Sequence, residues 1–336
     1  MKITSEEIAR LANVSRSTVS RVINNYPNVP EPTRQKVMGV IEKYGYKPNA
    51  FARVLAGKSN MEIALCISND NSGDGNRWKG MESPYSMRLI AELITQSKAY
   101  GYMISVLVIS TEADYEEIEN RLLNREICGG VFVGFEFQME RINAIAEKGF
   151  NMVVIDPDDS LKQADNVKAI YSENERGAFL AVEYLLKKKY ARIGHIRGDN
   201  RLSARERLEG YCKAMEAAGY RREELPVEYG GFNREYAYRA AVRLMQEHQV
   251  DAIFAADDIT AIAATRAAAD LNKRVPEDVG IMGCDYVSLY DDLGIHLTTV
   301  EISVREIAKI AVRAVLDIEK EKQIVCRAAI RVGLTA

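Results

Sequence analysis

The sequence predicts an α/β protein in which a three-helix helix-turn-helix head precedes a two-lobed body of doubly wound parallel sheets. Three observations predict it: a break in charge near residue 60, two short helix patterns joined by a tight turn at the front, and apolar runs alternating with amphipathic ones thereafter. At 336 residues the chain exceeds one average domain. Residues 1–60 carry ten Lys and Arg against four Asp and Glu, whereas the remainder carries 35 against 44. A cationic block on an acidic body fits a polyanion-binding head joined to a separate regulatory or catalytic part.

Thr4 followed by Glu7 is a capping box, in which hydroxyl and carboxylate satisfy orphan amides at a helix start. Ile8, Leu11 and Ala12 mark that helix's apolar face, and Asn13-Val14 interrupts it. Ser15 is placed to cap a second helix running to about Asn24, with Val19, Val22 and Ile23 as its stripe. A third begins near Pro30-Glu31-Pro32, carries Val37, Val40, Ile41 and Tyr44, and stops at Gly45.

Residues 15–25, SRSTVSRVINN, contain no acid. The second helix of such a unit lies in the major groove with its first residues at the base edges. Arg16 and Ser17 hold those places, Arg21 follows, and the guanidinium fork matches the O6 and N7 acceptors of guanine. Ser15, Thr18, Ser20 and Asn24, with Thr4 on the first helix, are short polar groups suited to phosphate oxygens.

The head resembles the lactose/galactose repressor family, whose members read much like IARLANVSRSTVSRVINN followed by TRQKV and YGYKPN. The resemblance implies that Arg16, Ser17 and Arg21 read an operator in double-stranded DNA. It continues through PNAFARVLAGKS, residues 48–59, where Asn49 is placed to cap a short helix that Gly57 ends. So short a helix is marginal alone in water. By resemblance it is a hinge helix, with Asn49, Ala52 and Leu55 at the minor groove and Leu55 as an apolar wedge of the kind that kinks a duplex. GKS at 57–59 is not a phosphate loop, because Ala52 stands where the first glycine is required and no strand precedes it.

In the body, IALCIS, YMISVLVIS, GGVFVGF and NMVVID read as strands, with helical periods near 86–100, 113–125 and 139–148 between them. VKAIYS, ARIGHI, LPVEYG, DAIFAAD and VGIMGCD repeat the pattern, with helices near 174–189, 204–219, 234–249 and 259–273. Nearly continuous apolar strands alternating with helices mean parallel sheets covered on both faces. Ligands bind such sheets beyond the strands' carboxyl ends. Ser68, Asn69, Asp156, Arg197 to Asp199, Asp257, Asp258 and Asp285 stand there. Carboxylates near an arginine, with aromatic neighbours, suit a polyhydroxylated ligand. Asp257 and Asp258, ahead of ITAIAATRAA, equally suit a helix cap.

This body resembles the same family's effector domain, akin to periplasmic sugar-binding proteins. The resemblance implies a small-molecule effector, a sugar, gripped by Arg207 of SARERLEGY. Around it come Asp285 of GCDYVSLYDDLGIHLTTV, Asp156 of VVIDPDD, Phe232 of YGGFNREYAY as a ring platform, Tyr85 of SPYSMRLI, Ser68 and Asp257. Asp257 stands where many members carry asparagine. The stretch 69–85 is longer than the usual loop, and its Trp78 either lines the pocket or covers it. A homodimer is also implied, and the absence of a long heptad tail argues against a coiled-coil tetramer. The expected domains are 1–46 (head), 47–60 (hinge and linker), 61–157 with 302–322 (first lobe), and 158–301 with 323–336 (second lobe). Crossings are expected near 157–166, 286–302 and 321–324, making a hinge that a ligand closes and coupling its occupancy to DNA affinity.

Catalysis is not expected. The chain has no GxSxG elbow and no GxGxxG, and His195, His248 and His296 are isolated, so catalytic residues, metals and cofactors are all expected to be none. His195, within ARIGHIRG, reads as a satisfied core histidine. Cys66, Cys128, Cys212, Cys284 and Cys326 are far apart with no CxxC, which fits reduced residues in a cytoplasmic protein. No signal-like region opens the chain and no apolar stretch approaches the ~20 residues that span a bilayer, so no membrane partner is expected. The alternative left open is a DNA-binding regulator controlled by a protein partner, with no small-molecule effector.

Overall fold

The computed structural model describes residues 3–23, 28–44, 61–68, 83–134, 138–157 and 163–336. The chain divides into two compact units, residues 1–60 and 61–336.

In the first unit, α1 (Ser5–Leu11), α2 (Arg16–Ile23) and α3 (Glu31–Tyr44) surround a small core of Ile8, Ala12, Val19, Val22, Val29 and Val37. The capping box forms as its spacing requires. The Glu7 amide donates to the Thr4 hydroxyl at 3.3 Å and the Thr4 amide to the Glu7 carboxylate at 2.7 Å. Asn13 turns the chain between α1 and α2 with a φ of 50°, a conformation asparagine tolerates. Ser15 then caps α2, its hydroxyl accepting from the Thr18 amide at 3.1 Å.

The second unit holds two six-stranded sheets. The first is wholly parallel and is built from β1 (Glu62–Ser68), β2 (Met103–Ile109), β3 (Gly129–Val133), β4 (Asn151–Ile155), β5 (Val167–Ser172) and β11 (Gln323–Cys326), in the order β11-β5-β4-β3-β1-β2. Strand alternation sorts its residues to two faces. Ile63, Leu65 and Ile67 pack under α4 (Pro84–Ala99) and α12 (Val304–Val315), and Ala64 and Cys66 under α5 (Glu112–Leu123) and α6 (Met139–Ala146). The second sheet contains β6 (Ile193–Arg197), β7 (Val227–Tyr229), β8 (Ala252–Ala255), β9 (Gly280–Cys284), β10 (Thr298–Ile302) and β12 (Ala328–Arg331), in the order β12-β10-β9-β8-β6-β7, with only β12 antiparallel. Helices α7 (Asn174–Lys187) and α8 (Leu202–Ala217) cover one face; α9 (Arg234–Gln246) and α10 (Asp258–Asp270) cover the other, and a short α11 (Leu289–Asp292) follows β9. No helix among the described residues is long and apolar enough to cross a membrane.

The crossings differ from the sequence expectation. VKAIYS forms β5 and adds to the first sheet beside β4, so the chain leaves that sheet at Glu173 and not within 157–166. The second passage falls at Ser303, after β10 has completed its pairing with β9. Residues 323–326, expected in the second lobe, pair with β5 as β11, and the third passage is at Arg327. The apolar run of β5, buried on both faces, carries no mark of which sheet takes it, and β11 is a short, largely exposed edge strand whose pattern marks neither. The first and third passages are tied together: the Glu173 amide donates to the Cys326 carbonyl at 3.1 Å, and the Glu173 carboxylate accepts from the Ala328 amide at 3.1 Å.

His195 lies buried in β6, stacked with Tyr211 and Phe254 at 5.1 Å each. Burial pushes it down to about 4, so the imidazole is neutral, with Nδ1 2.9 Å from the Phe254 carbonyl. Nε2 has no hydrogen-bond partner among the described residues, so this core histidine is only half satisfied.

Helices α7 and α8 meet backbone to backbone at Gly210, where a Cβ would lie 2.1 Å from the Glu175 carbonyl oxygen and 2.9 Å from the Ala178 Cβ. Gly210→Ala is therefore expected to destabilise the protein by ~1 to 3 kcal/mol through overpacking, read as a lower urea midpoint at unchanged slope.

Candidate functional site

On the head, α2 buries Val19 and Val22 and exposes Arg16, Ser17, Ser20 and Arg21, with Ser15 exposed at its start and Thr18 half-buried. The Ser15 hydroxyl also lies 2.7 Å from that of Ser17 and 2.8 Å from that of Thr18. Arg16 pairs with Glu6 at 3.4 Å, both side chains largely exposed. Such surface pairs contribute little and yield readily to a stronger acceptor. Asn24, Asn49, Ala52, Leu55 and Trp78 lie outside the described residues.

In the second unit the strand ends converge on Arg207, which α8 carries into the interior. Its guanidinium donates from Nε to Asn174 Oδ1 at 3.0 Å, from Nη1 to the Ala256 carbonyl at 2.5 Å and from Nη2 to Asp285 Oδ1 at 2.9 Å. Burial opposes its charge most strongly, but Asp285, Cys284 and Asp257 together more than offset this, so Arg207 stays protonated well above an ordinary arginine.

Acids gather around this one cation. Burial pushes Asp285 up to about 6, although Arg207 pulls the other way. Burial also raises Asp156, whose carboxylate accepts the Ser172 amide at 2.7 Å and the Ser172 hydroxyl at 3.0 Å. Asp257 is raised by burial and caps α10 through the Thr260 amide at 2.7 Å. Asp258 is raised furthest by burial; it accepts from the Thr299 hydroxyl at 2.5 Å and the Val287 amide at 2.8 Å. Asp156, Phe232, Asp285 and Tyr286 all have positive φ, from 49° to 106°, and strained backbone of this kind clusters at functional sites.

The structure thus brings Asp156, Asp257 and Asp285 around Arg207. Tyr85, in the first turn of α4, joins them: burial raises its phenol, and the charges of Asp156 and Asp285 raise it further. Its hydroxyl is buried with no hydrogen-bond partner among the described residues, as is that of Ser68 at the end of β1. No hydrogen bond among the described residues joins Ser68 to Arg207. Phe232 packs on Gly198, and the Arg201 guanidinium sits 4.6 Å from its ring while pairing with Asp199 at 2.8 Å. Asn174, Arg201 and Tyr290, the last raised to about 12 by burial and by Asp258, are members that sequence reasoning missed. Asn174 follows β5, a strand that the sequence pattern assigns to the other lobe.

Asp285 holds its proton to a higher pH in the folded than in the unfolded chain. Its contribution to stability is therefore complete below about 4 and lost as pH rises to about 6. Asp285→Asn is expected to flatten the pH dependence of the unfolding free energy across that window.

An exposed, cationic helix-turn-helix face joined in one chain to a two-sheet α/β body with a charged interior site defines a DNA-binding regulator. Residues 4–49 match the bacterial regulatory proteins of the lacI family, and residues 182–330 match a periplasmic binding protein-like domain. The HTH-type transcriptional regulator DegA of Bacillus subtilis is 30% identical over 91% of this chain and 88% of its own length. The HTH-type transcriptional repressor PurR of Haemophilus influenzae is 28% identical over 94% and 90%. The transcriptional regulator CelR, solved with cellobiose, is 26% identical and superposes with a TM-score of 0.69 over 99% of this chain and 100% of that one. The chain belongs to the LacI family of DNA-binding transcriptional regulators.

Proposed function

We propose that this regulator is a cytoplasmic, homodimeric repressor that reads its operator through Arg16, Ser17 and Arg21, anchors on phosphates through Thr4, Ser15, Thr18, Ser20 and Asn24, and answers to a sugar bound between its sheets. Residues 47–60 form the hinge in this reading, with Asn49, Ala52 and Leu55 at the minor groove. The carrying observation is the buried Arg207–Asp285 pair at 2.9 Å, with the Tyr85 hydroxyl, unpartnered among the described residues, beside it. A polyhydroxylated ligand supplies what those groups lack, both donors and acceptors. Charge narrows the class. Asp156, Asp257 and Asp285 face Arg207, with Asp258 beside Asp257 and Asp285, while Arg201 is already paired with Asp199. An anionic effector would meet more acid than base, so an uncharged sugar is favoured. Cellobiose in the CelR complex supports that class. Ser68 and Phe232 complete the proposed effector contacts.

Calorimetry of the full-length protein against a panel of neutral sugars, cellobiose included, tests this reading. Binding at micromolar to millimolar strength is expected, and silence across the panel would favour control by a protein partner. Arg207→Ala is expected to abolish the sugar's effect on operator affinity while the ligand-free protein still binds operator. Arg16→Ala is expected to lose ~1 to 3 kcal/mol of discrimination between operator and random duplex in a gel-shift titration. Equal losses on both duplexes would make Arg16 a phosphate contact.

A further inference from the structure

Tyr85 and Arg88 stand three residues apart on α4, hence on one face of that helix. Tyr85 faces the acid cluster. Arg88 reaches further, donating from Nη1 to the main-chain carbonyl of Tyr286 at 2.6 Å, with its guanidinium 5.5 Å from the Tyr286 ring. Helix α4 packs on the first sheet and Tyr286 follows β9 of the second, so this bond spans the two.

The turn it grips is unusual. Asp285 has a φ of 106° and Tyr286 a φ of 54°, two successive left-handed residues with no glycine. Such backbone persists only where its surroundings over-determine it. Here the Asp285 amide donates to the Val300 carbonyl at 2.8 Å, and the Val287 amide to Asp258 at 2.8 Å. The peptide unit between Tyr286 and Val287 is therefore held at both polar atoms: its N–H by Asp258 of α10, its carbonyl by Arg88 of α4. Remove the second hold and no other hydrogen bond among the described residues ties to the first sheet a turn whose two positive φ values are costly without glycine. The carboxylate of Asp285 goes where the turn goes.

We propose that Arg88 is a positioning residue: by holding the Tyr286 carbonyl from across the two sheets it keeps the 285–287 turn in its left-handed form, and so keeps Asp285 on Arg207. That Asp285 contacts an effector rests on the function proposed above; the holding of the turn does not, and it is tested without any effector. In hydrogen exchange on the full-length, effector-free protein, Arg88→Ala is expected to speed exchange of a peptide spanning 284–288 about tenfold, with a peptide over β3 unchanged. Arg88→Lys, which still offers a cationic donor, is expected to restore part of the protection. Arg331→Ala is the control. Arg331 lies 4.5 Å from the Tyr286 ring and makes no contact with its carbonyl, so its loss is expected to leave 284–288 close to wild type.

A second reading follows the Asp285 carboxyl by NMR. The groups acting on it are Arg207 of α8, Arg201 of the preceding loop, Asp257 and Asp258 of α10, Tyr85 of α4 and Tyr290 of α11. In Arg88→Ala its titration is expected to fall from about 6 towards the ordinary carboxylate range as the turn opens to water. Unchanged exchange at 284–288 in Arg88→Ala would overturn the proposal. So would acceleration shared equally by β3, because Arg88 would then support the whole body and not this turn.

Discussion

A buried guanidinium is the constraint that the rest of the effector body serves. Taking a charge out of water costs several kcal/mol, which no single contact repays. Arg207 is tolerable only because Asn174, the Ala256 carbonyl and Asp285 reach it together. Those partners come from the start of α7, the end of β8 and the end of β9, and the arginine itself from α8. Four elements of one sheet must therefore meet within hydrogen-bond tolerance, and the close α7 to α8 contact at Gly210 helps to set that distance. The surplus of acid around Arg207 follows. Carboxyls that cannot all ionise in one dry place keep protons longer than usual, or turn to neighbouring amides and hydroxyls, as Asp156 does with Ser172.

Much of this was written in residue order. Strands buried on both faces give unbroken apolar runs, and NMVVID and DAIFAAD read plainly as such. The capping box at Thr4 and Glu7 is local chemistry that needs no tertiary context. Asp156 and Asp285 are legible as strand-end acids, Arg207 and Tyr85 only through the resemblance to the family's effector domain, and the structure gathers all four. Sheet membership was not legible, because it depends on which edge a strand meets and not on its own composition. VKAIYS and the strand at 323–326 went to the wrong lobe for that reason. Nor could left-handed backbone at Asp285 and Tyr286 be read, since neither position carries glycine.

The head shows the same division between pattern and consequence. A period of 3.6 places Val19 and Val22 inside and Arg16, Ser17, Ser20 and Arg21 outside, so the face was fixed once the helix was recognised. What that face reads depends on side-chain donors meeting base edges, a matter of partner geometry that no pattern of apolar residues encodes.

The chain passes between the sheets at Glu173, Ser303 and Arg327, and the first and last of these passages share two hydrogen bonds. Two passages pinned together in this way act as one link and not as two independent ones. A shift of one sheet against the other must therefore carry the main chain at Glu173 and at Arg327 with it as a single unit.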